Sequence, residues 1–484
     1  MRGPCWTCRK RTIQCDQSRF PCAKCEKAGL ECLDKRPLRW VKGVAIRGKM
    51  RGQGFDTNKS PLAQPRRKQL LPNAQKGWAM EAGPSPALPD PHISSVERFY
   101  IDYYEKRVCK LYILYDSDSN PFRKLLPYAL EDVALQKSIV ALAARHFANT
   151  GYSFDRIEAN SSHRYEKAEL SALQFKKQSI DALSRSLSHT ESCKKDATLA
   201  SILLLIFLDL LESGIDGWSL HIQGAKVIHQ LLAELGSNGD TKVDHGQTAT
   251  EIRQFITRQL FLIETLGTAF SSSTPVFESP VEGQESIHQE SIVRSFLGCP
   301  EFILRAISFF SNQRALMESQ RSTIDTIAML ELTEEFNCFE WASNFQQPEP
   351  SSTKEIDQLC MLSQAYKNAA LLYGRHVLGP WTDTTRNDEL VSQLLRLVET
   401  LKNNATLFKC LLWPTFMAGL GSQAQSQKDA VIGLLGSLWD STNCLNVISA
   451  SKILQDYWKK KEQTDTRIQG TTGIDELAYG WLLI

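Results

Sequence analysis

At 484 residues the chain is longer than one hydrophobic core usually organises, so two to four structural units are expected. Hydrophobic residues at 42% and charged residues at 23% supply enough apolar material for a sizeable core. The formal charge of +2 hides an asymmetry: residues 1–54 hold 14 Lys/Arg against 4 Asp/Glu, a balance of +10 that leaves −8 for the rest, and a basic head of this kind calls for a polyanion partner.

The opening residues, MRGPCWTCRK, contain no apolar run of the kind a secretory signal needs, and the chain is expected to stay inside the cell. The strongest apolar run, Leu199 to Leu208, is followed at once by Asp209 and Glu212 and is too short for a membrane span. No membrane partner is expected. Thirteen cysteines in a reducing compartment favour metal ligation or plain burial over disulfides.

Six of those cysteines lie within 28 residues, as Cys5-x2-Cys8-x6-Cys15-x6-Cys22-x2-Cys25-x6-Cys32. A shift of 17 residues superimposes Pro4-Cys5-x2-Cys8-x6-Cys15 on Pro21-Cys22-x2-Cys25-x6-Cys32, with Lys10 on Lys27 and Ile13 on Leu30. Two intervening residues let a tight turn present both sulfurs to one metal, and six more form a short helix that returns the third. Each half supplies three thiolates, whereas a tetrahedral zinc takes four; two Zn2+ are served by six sulfurs only if two of them bridge. A segment this short, with few large apolar side chains, draws most of its folding free energy from the metal. Three disulfides would suit a secreted mini-domain, and an iron–sulfur site uses four cysteines per cluster, so neither competes well. Cys109, Cys193, Cys299, Cys338, Cys360, Cys410 and Cys444 are scattered singly and are assigned no chemistry.

The first short helix carries Arg9, Lys10 and Arg11 without an acid, while Lys27 in the second is flanked by Glu26 and Glu31. Only the first suits phosphate. Part of its charge offsets the net negative charge of two Zn2+ and six thiolates. The segment Cys5 to Cys32 resembles the Zn2Cys6 binuclear cluster of fungal transcription regulators. That resemblance implies that Cys5 and Cys22 bridge the metals, that the first helix enters the major groove of double-stranded DNA, and that CGG-like triplets are the target. Relatives commonly carry Lys where this chain has Thr12 and Gln14, which alters the expected base contacts; Arg11 and Thr12 are expected nearest the bases.

Four sections are expected: a DNA-binding cluster over 1–34, a basic arm over 35–54, a flexible linker over 55–93 and an all-α regulatory domain over 94–484. The arm holds seven basic residues, no acid, four glycines and Trp40, so Arg39, Lys42 and Arg47 are candidates to follow phosphates, and the same cations suit nuclear import. The linker is proline-rich and polar. No heptad coiled coil follows the cluster, so a zipper dimer is not supported and the oligomeric state stays open.

In the body, apolar residues recur at intervals of three and four. Leu135, Ile139, Leu142, Ala143 and His146 are expected on one buried face and Leu173, Ile180, Leu183 and Leu187 on another. Leu199 to Leu211, apolar nearly all round, is expected at the centre. Further helices are expected over Thr250–Ala269, Glu301–Gln313, Ile356–Val377, Asp388–Asn403 and Lys428–Lys459, with loops near 236–246, 271–289 and 346–353. The phrases Tyr115-Asp116-Ser117 with Asn120-Pro121-Phe122-Arg123, Trp218-x2-His221-x2-Gly224-Ala225, Gly298-Cys299-Pro300 and Trp413-Pro414-x2-Met417-x-Gly419 resemble the fungal-specific regulatory domain of acriflavine-sensitivity and sterol-regulator relatives. The resemblance implies that the body senses a small-molecule effector or a protein partner and passes the signal to transcription machinery in the nucleus. His221 is expected to be a packing residue.

Catalysis is not expected. Pro21-Cys22-x2-Cys25 matches half of a zinc deaminase motif, but no His-x-Glu precedes it. No nucleophile elbow, P-loop or H-E-x-x-H helix occurs. The alternative is a zinc-organised protein-interaction module that never touches DNA.

Overall fold

A computed structural model describes residues 5–17, 19, 21–30, 32, 93–154, 163–215, 217–237, 247–270, 297–316, 322–344, 353–379, 384–464 and 480–484. They fall into two units, one within Met1–Ala87 and one within Leu88–Ile484. The expected arm and linker, including Arg39, Lys42 and Arg47, lie outside the described residues except for Ile93. So do most of the three expected loops.

The first unit has two one-turn helices, α1 (Trp6–Lys10) and α2 (Ala23–Lys27). The second is all-α among its described residues. It opens with α3 (Ser95–Tyr103), a π-helical turn (Tyr104–Val108), α4 (Pro121–Glu131) and α5 (Val133–Asn149). There follow α6 (His163–Leu187), α7 (Thr190–Cys193), α8 (Asp196–Glu212), α9 (Trp218–Ser237) and α10 (Gln247–Thr268). Next come α11 (Glu301–Ala315), α12 (Thr323–Glu335), α13 (Cys338–Ser343), α14 (Thr353–Leu378) and α15 (Thr384–Leu401). The series ends with α16 (Ala405–Phe408), α17 (Leu412–Gly421), α18 (Gln425–Thr442) and α19 (Leu445–Thr464). Local sequence sets several starts. Ser94 and Glu97 form a reciprocal capping box at α3, and Asn120 with Pro121 at the first helical position opens α4. Asp132 accepts the Leu135 N–H at 3.0 Å to begin α5.

Two helices are apolar on every side and both are inside. In α8 every residue from Thr198 to Leu211 is buried, against α4, α5, α6, α9, α10 and α19. In α17 all ten residues are buried, against α14, α15, α18 and α19. One continuous core runs from Tyr100 to Ile484, so this unit is one hydrophobic body. No described helix is long and apolar enough to cross a membrane.

Two expectations about the body need correction. On α6 only Leu183 of the expected face is buried; Leu173, Ile180 and Leu187 are 53%, 43% and 45% exposed. The buried face is instead Ala168, Ala172, Phe175, Ser179, Ala182 and Leu183, where small side chains let α6 lie close against α5, with Ser179 and Ser138 hydroxyls 2.8 Å apart. The expected helix over Lys428–Lys459 is two helices. Asn443 adopts left-handed φ 49° and its N–H returns to the Trp439 carbonyl, closing α18 before α19 starts.

Candidate metal centre and nucleic-acid interface

The 17-residue repeat is conformational as well as chemical. Cys5 and Cys22 occupy the N-cap positions of α1 and α2 with φ, ψ of −60°, 150° and −68°, 148°. Arg11 and Ala28 take the matching C-cap positions, followed by left-handed Thr12 (φ 54°) and Gly29 (φ 62°). Each helix then closes with the same pair of bonds: Thr12 N–H to Arg9 O and Ile13 N–H to Cys8 O, matched by Gly29 N–H to Glu26 O and Leu30 N–H to Cys25 O. This is the Schellman closure, and Ile13 and Leu30 are its apolar followers. Thr12 therefore holds a β-branched side chain where glycine is preferred. Its hydroxyl donates to the Arg11 carbonyl at 2.7 Å.

These turns bring all six sulfurs together, each cysteine no more than 8% exposed. Cys5, Cys8, Cys15 and Cys22 form one set whose sulfurs lie within 4.8 Å of one another, and Cys5, Cys22, Cys25 and Cys32 form a second. Cys5 and Cys22 belong to both. The sulfurs of Cys8 and Cys22 are 3.6 Å apart and those of Cys5 and Cys22 3.8 Å, far beyond a disulfide bond. Four sulfurs at about 2.3 Å from a zinc would sit about 3.8 Å from each other, so the spacing fits the metal. Among the described residues of this unit the buried apolar cluster consists of these cysteines alone, which leaves the metal to organise the fold. Burial opposes ionisation of Cys5 and Cys22, but hydrogen bonds from the Cys8 and Cys25 amides and neighbouring thiols outweigh it and lower both. Burial raises Cys8 to about 12 and also raises Cys25, so metal loading must displace their protons.

Around the sulfurs the two halves diverge. Asp16 accepts the Ala23 N–H at 2.9 Å, joining the first half to the start of α2. Glu26 on α2 pairs with Arg19. Arg9, Lys10, Arg11 and Thr12 are all exposed, and Lys10 lies 5.2 Å over the Trp6 ring. Arg11 and Thr12 fall just beyond α1 rather than within it, so the cationic stretch extends from the last helical turn into the closure.

In the body, the phrases that carried the family resemblance turn out to be packing devices. Asp116 accepts from Asn120 and Arg123, while Trp218 packs against Gly267, where a Cβ would lie 2.3 Å from the indole ring. His221 Nε2 is 3.7 Å from Asp209, whose other oxygen faces Lys176. Burial and Lys176 lower the His221 pKa. Asp209 and Lys176 come from α8 and α6, which the spacing around His221 could not reveal. None of the seven other cysteines is in a disulfide, and burial raises Cys109, Cys410 and Cys444 to about 12.

A six-thiol centre fitted to zinc, joined in one chain to a large helical body, defines a zinc-cluster transcription regulator. Residues 3–40 match the fungal Zn(2)-Cys(6) binuclear cluster domain, which binds two zinc ions, and residues 98–473 match the fungal specific transcription factor domain. The chain belongs to this family of fungal transcription factors. It is 22% identical over 408 residues to the acriflavine sensitivity control protein acr-2 of Neurospora crassa, which covers 80% of this chain and 66% of that protein. The chain thus spans just under two thirds of that relative's length. No solved structure matches it.

Proposed function

We propose that the chain is a nuclear transcription factor that binds double-stranded DNA through the zinc unit and receives its signal through the body. Bound zinc neutralises and cross-links the thiolates. Cys5 and Cys22, common to both sets, would be shared between the ions, with Cys8 and Cys15 completing one set and Cys25 and Cys32 the other. The protein's own contribution is positional: Cys5 starts α1, Cys8 sits under it, and Arg9, Lys10, Arg11 and Thr12 are left on the outside. The observation that carries the reading is this exposed cationic stretch on a scaffold whose buried cluster, among the described residues, is the six cysteines. Arg39, Lys42 and Arg47 extend the contact along the phosphates, and Thr12 and Gln14 alter the CGG preference.

For the body, the proposed signal is a protein partner in the transcription machinery, with a small effector as the alternative. The cavity lined by Leu111, Tyr112, Leu210, Asn446, Val447 and Ile484 has a volume of about 20 Å³, room for one water. Ligand pockets are more than tenfold larger, so this cavity is not itself an effector site. The DNA reading is tested by titrating the full zinc-loaded chain with duplex DNA over a range of salt. Three phosphate contacts from Arg9, Lys10 and Arg11 give a log–log slope of about −2.7, steeper if the arm joins. A salt-independent affinity, or binding that survives chelation, would return the zinc unit to the protein-interaction alternative.

A further inference from the structure

The segment Gly480–Ile484 lies in the body as a strap outside any helix. Three hydrogen bonds hold it, all directed at backbone atoms of alternate residues. Trp218 Nε1–H donates to Gly480 O at 2.6 Å, Leu482 N–H donates to Gly214 O at 2.7 Å, and Asn446 Nδ2–H donates to Ile484 O at 3.1 Å. Leu482, Leu483 and Ile484 are 0%, 1% and 8% exposed. Bonds to the backbone of alternate residues, beside buried aliphatic side chains, are the way a protein reads a bound peptide segment. The groove comes from distant parts of the chain: the turn after α8, the first residue of α9 and the start of α19. Gly214 is shaped for the strap. It has φ +71°, and a Cβ there would lie 2.6 Å from the Leu482 carbonyl oxygen.

The resident fits imperfectly. Among the described residues, buried Trp481 Nε1 has no acceptor and buried Asn446 Oδ1 has no donor. The water-sized cavity, lined by both Asn446 and Ile484, adjoins the same end of the strap. Each unmet polar atom and each void weakens the docked state. Burial of three aliphatic side chains is set against the ordering of five residues, terms of similar size, so the docked state is held by a narrow margin.

We infer that this groove is a peptide-docking site, occupied at rest by Gly480–Ile484, at which an extended aliphatic segment of a partner protein docks by displacing that strap. The partner segment presents alternate backbone groups to Gly214, Trp218 and Asn446, places aliphatic side chains where Leu482, Leu483 and Ile484 lie, and needs no indole N–H. This adds a specific surface to the proposed partner-binding body. Because its readout contains no DNA, its failure leaves the DNA reading untouched.

The test uses the full zinc-loaded chain with a protease site placed within residues 465–479, cut after folding. A fluorescent peptide of residues 478–484 is the probe. The cut protein should release its strap and bind the probe at least tenfold more tightly than the uncut protein, in which the tethered resident competes. Gly214→Val in the cut protein should abolish binding, and a probe carrying Trp481→Phe should bind no more weakly than the parent. In the uncut chain, excess unlabelled probe should remove hydrogen-exchange protection from the Leu482 amide. A strap that stays bound after cutting, or a Leu482 amide whose protection excess probe leaves intact, overturns the inference. A concentration-dependent dimer of the uncut chain that cutting dissociates would assign the groove to the strap of a second copy and overturn it too.

Discussion

His146 offers a quantitative test of the body, because its environment makes one protonation state costly. It is 6% exposed and holds three elements together: its Nδ1 lies 2.9 Å from the Tyr103 hydroxyl of α3, and its Nε2 lies 3.2 Å from the Thr442 carbonyl at the end of α18. A carbonyl can only accept, so Nε2 carries the proton and Nδ1 accepts from tyrosine. Burial, reinforced by Arg107 and only partly offset by the Thr442 bond, lowers its pKa from 6.5 to about 4. The unfolded chain therefore binds a proton through a window in which the folded chain does not. Stability is fully present above pH 6.5 and falls as pH drops towards 4, with an effect of about 2 kcal/mol at pH 5 and about 3 kcal/mol at the low end. Urea unfolding followed by far-ultraviolet circular dichroism at pH 8 and pH 5 measures the change. Burial also lowers His221 and His229, which share the direction, so the wild type is compared with His146→Gln. Glutamine keeps a donor for Thr442 and does not titrate. Glu97 resists burial through Lys137 and Ser94, and its carboxyl is held below the ordinary 4.5, beneath the pH 8 to pH 5 comparison. The variant should be less stable at pH 8 yet lose about 2 kcal/mol less than wild type between pH 8 and pH 5. Parallel losses in the two proteins would show that His146 does not hold a neutral ring in the folded state.

Other substitutions probe the remaining architecture. Cys5→Ser or Cys22→Ser should take bound zinc from two ions towards none, whereas Cys15→Ser or Cys32→Ser should leave one, as read by elemental analysis of purified protein; equal losses at all four positions would remove the special place of the shared pair. Thr12→Gly relieves left-handed strain of about 1–2 kcal/mol, less about 0.5–1 kcal/mol of added unfolded-state entropy, and should shift a chelator challenge of the zinc unit to higher chelator concentration. Gly267→Ala drives a methyl into the Trp218 ring and should lower the melting temperature of the body by the equivalent of about 1–3 kcal/mol, an outcome that a small or positive shift would contradict.

The zinc centre was legible in the sequence because its information is local. A Cys-x2-Cys pair is read within one turn, and the 17-residue repeat exposes the second half as a copy of the first, even pairing Ile13 with Leu30 before their common place after a helix closure is known. The special conformation of Thr12 was hidden until its repeat mate was recognised as Gly29, the one residue of the two that announces a left-handed turn. The body yielded its central helix α8 for a similar reason: a helix apolar all round has only one place to go. Its partly apolar helices were harder. On α6 the period correctly indicated a helix, but alanine and serine gained the interior through close approach to α5, and the larger aliphatics were left outside. Periodicity measures sidedness, and sidedness is ambiguous when both faces carry carbon. The tautomer of His146 depends on a carbonyl 296 positions away, and the strap at 480–484 is too short to carry a period at all.

The two units answer to different physics, and that separation bears on how such a protein changes. Among the described residues of the zinc unit the buried cluster is six cysteines, and the backbone bonds that close α1 run between Cys8, Arg9, Thr12 and Ile13 main-chain atoms. The main-chain closure of α1 therefore does not depend on the side chains of Arg9, Lys10 and Arg11, so the proposed DNA contacts could change there while those bonds persist. The body has no such freedom where backbone and ring meet. Gly267, Gly374 and Gly419 each face a side chain within 2.6 Å of where a Cβ would stand, so variation there must be compensated by a partner in another helix. On the proposed function, recognition of DNA can thus diverge one exposed residue at a time, whereas the helical body can change its interior only by concerted substitution, and scope for the proposed partner lies at surfaces and at elements such as Gly480–Ile484.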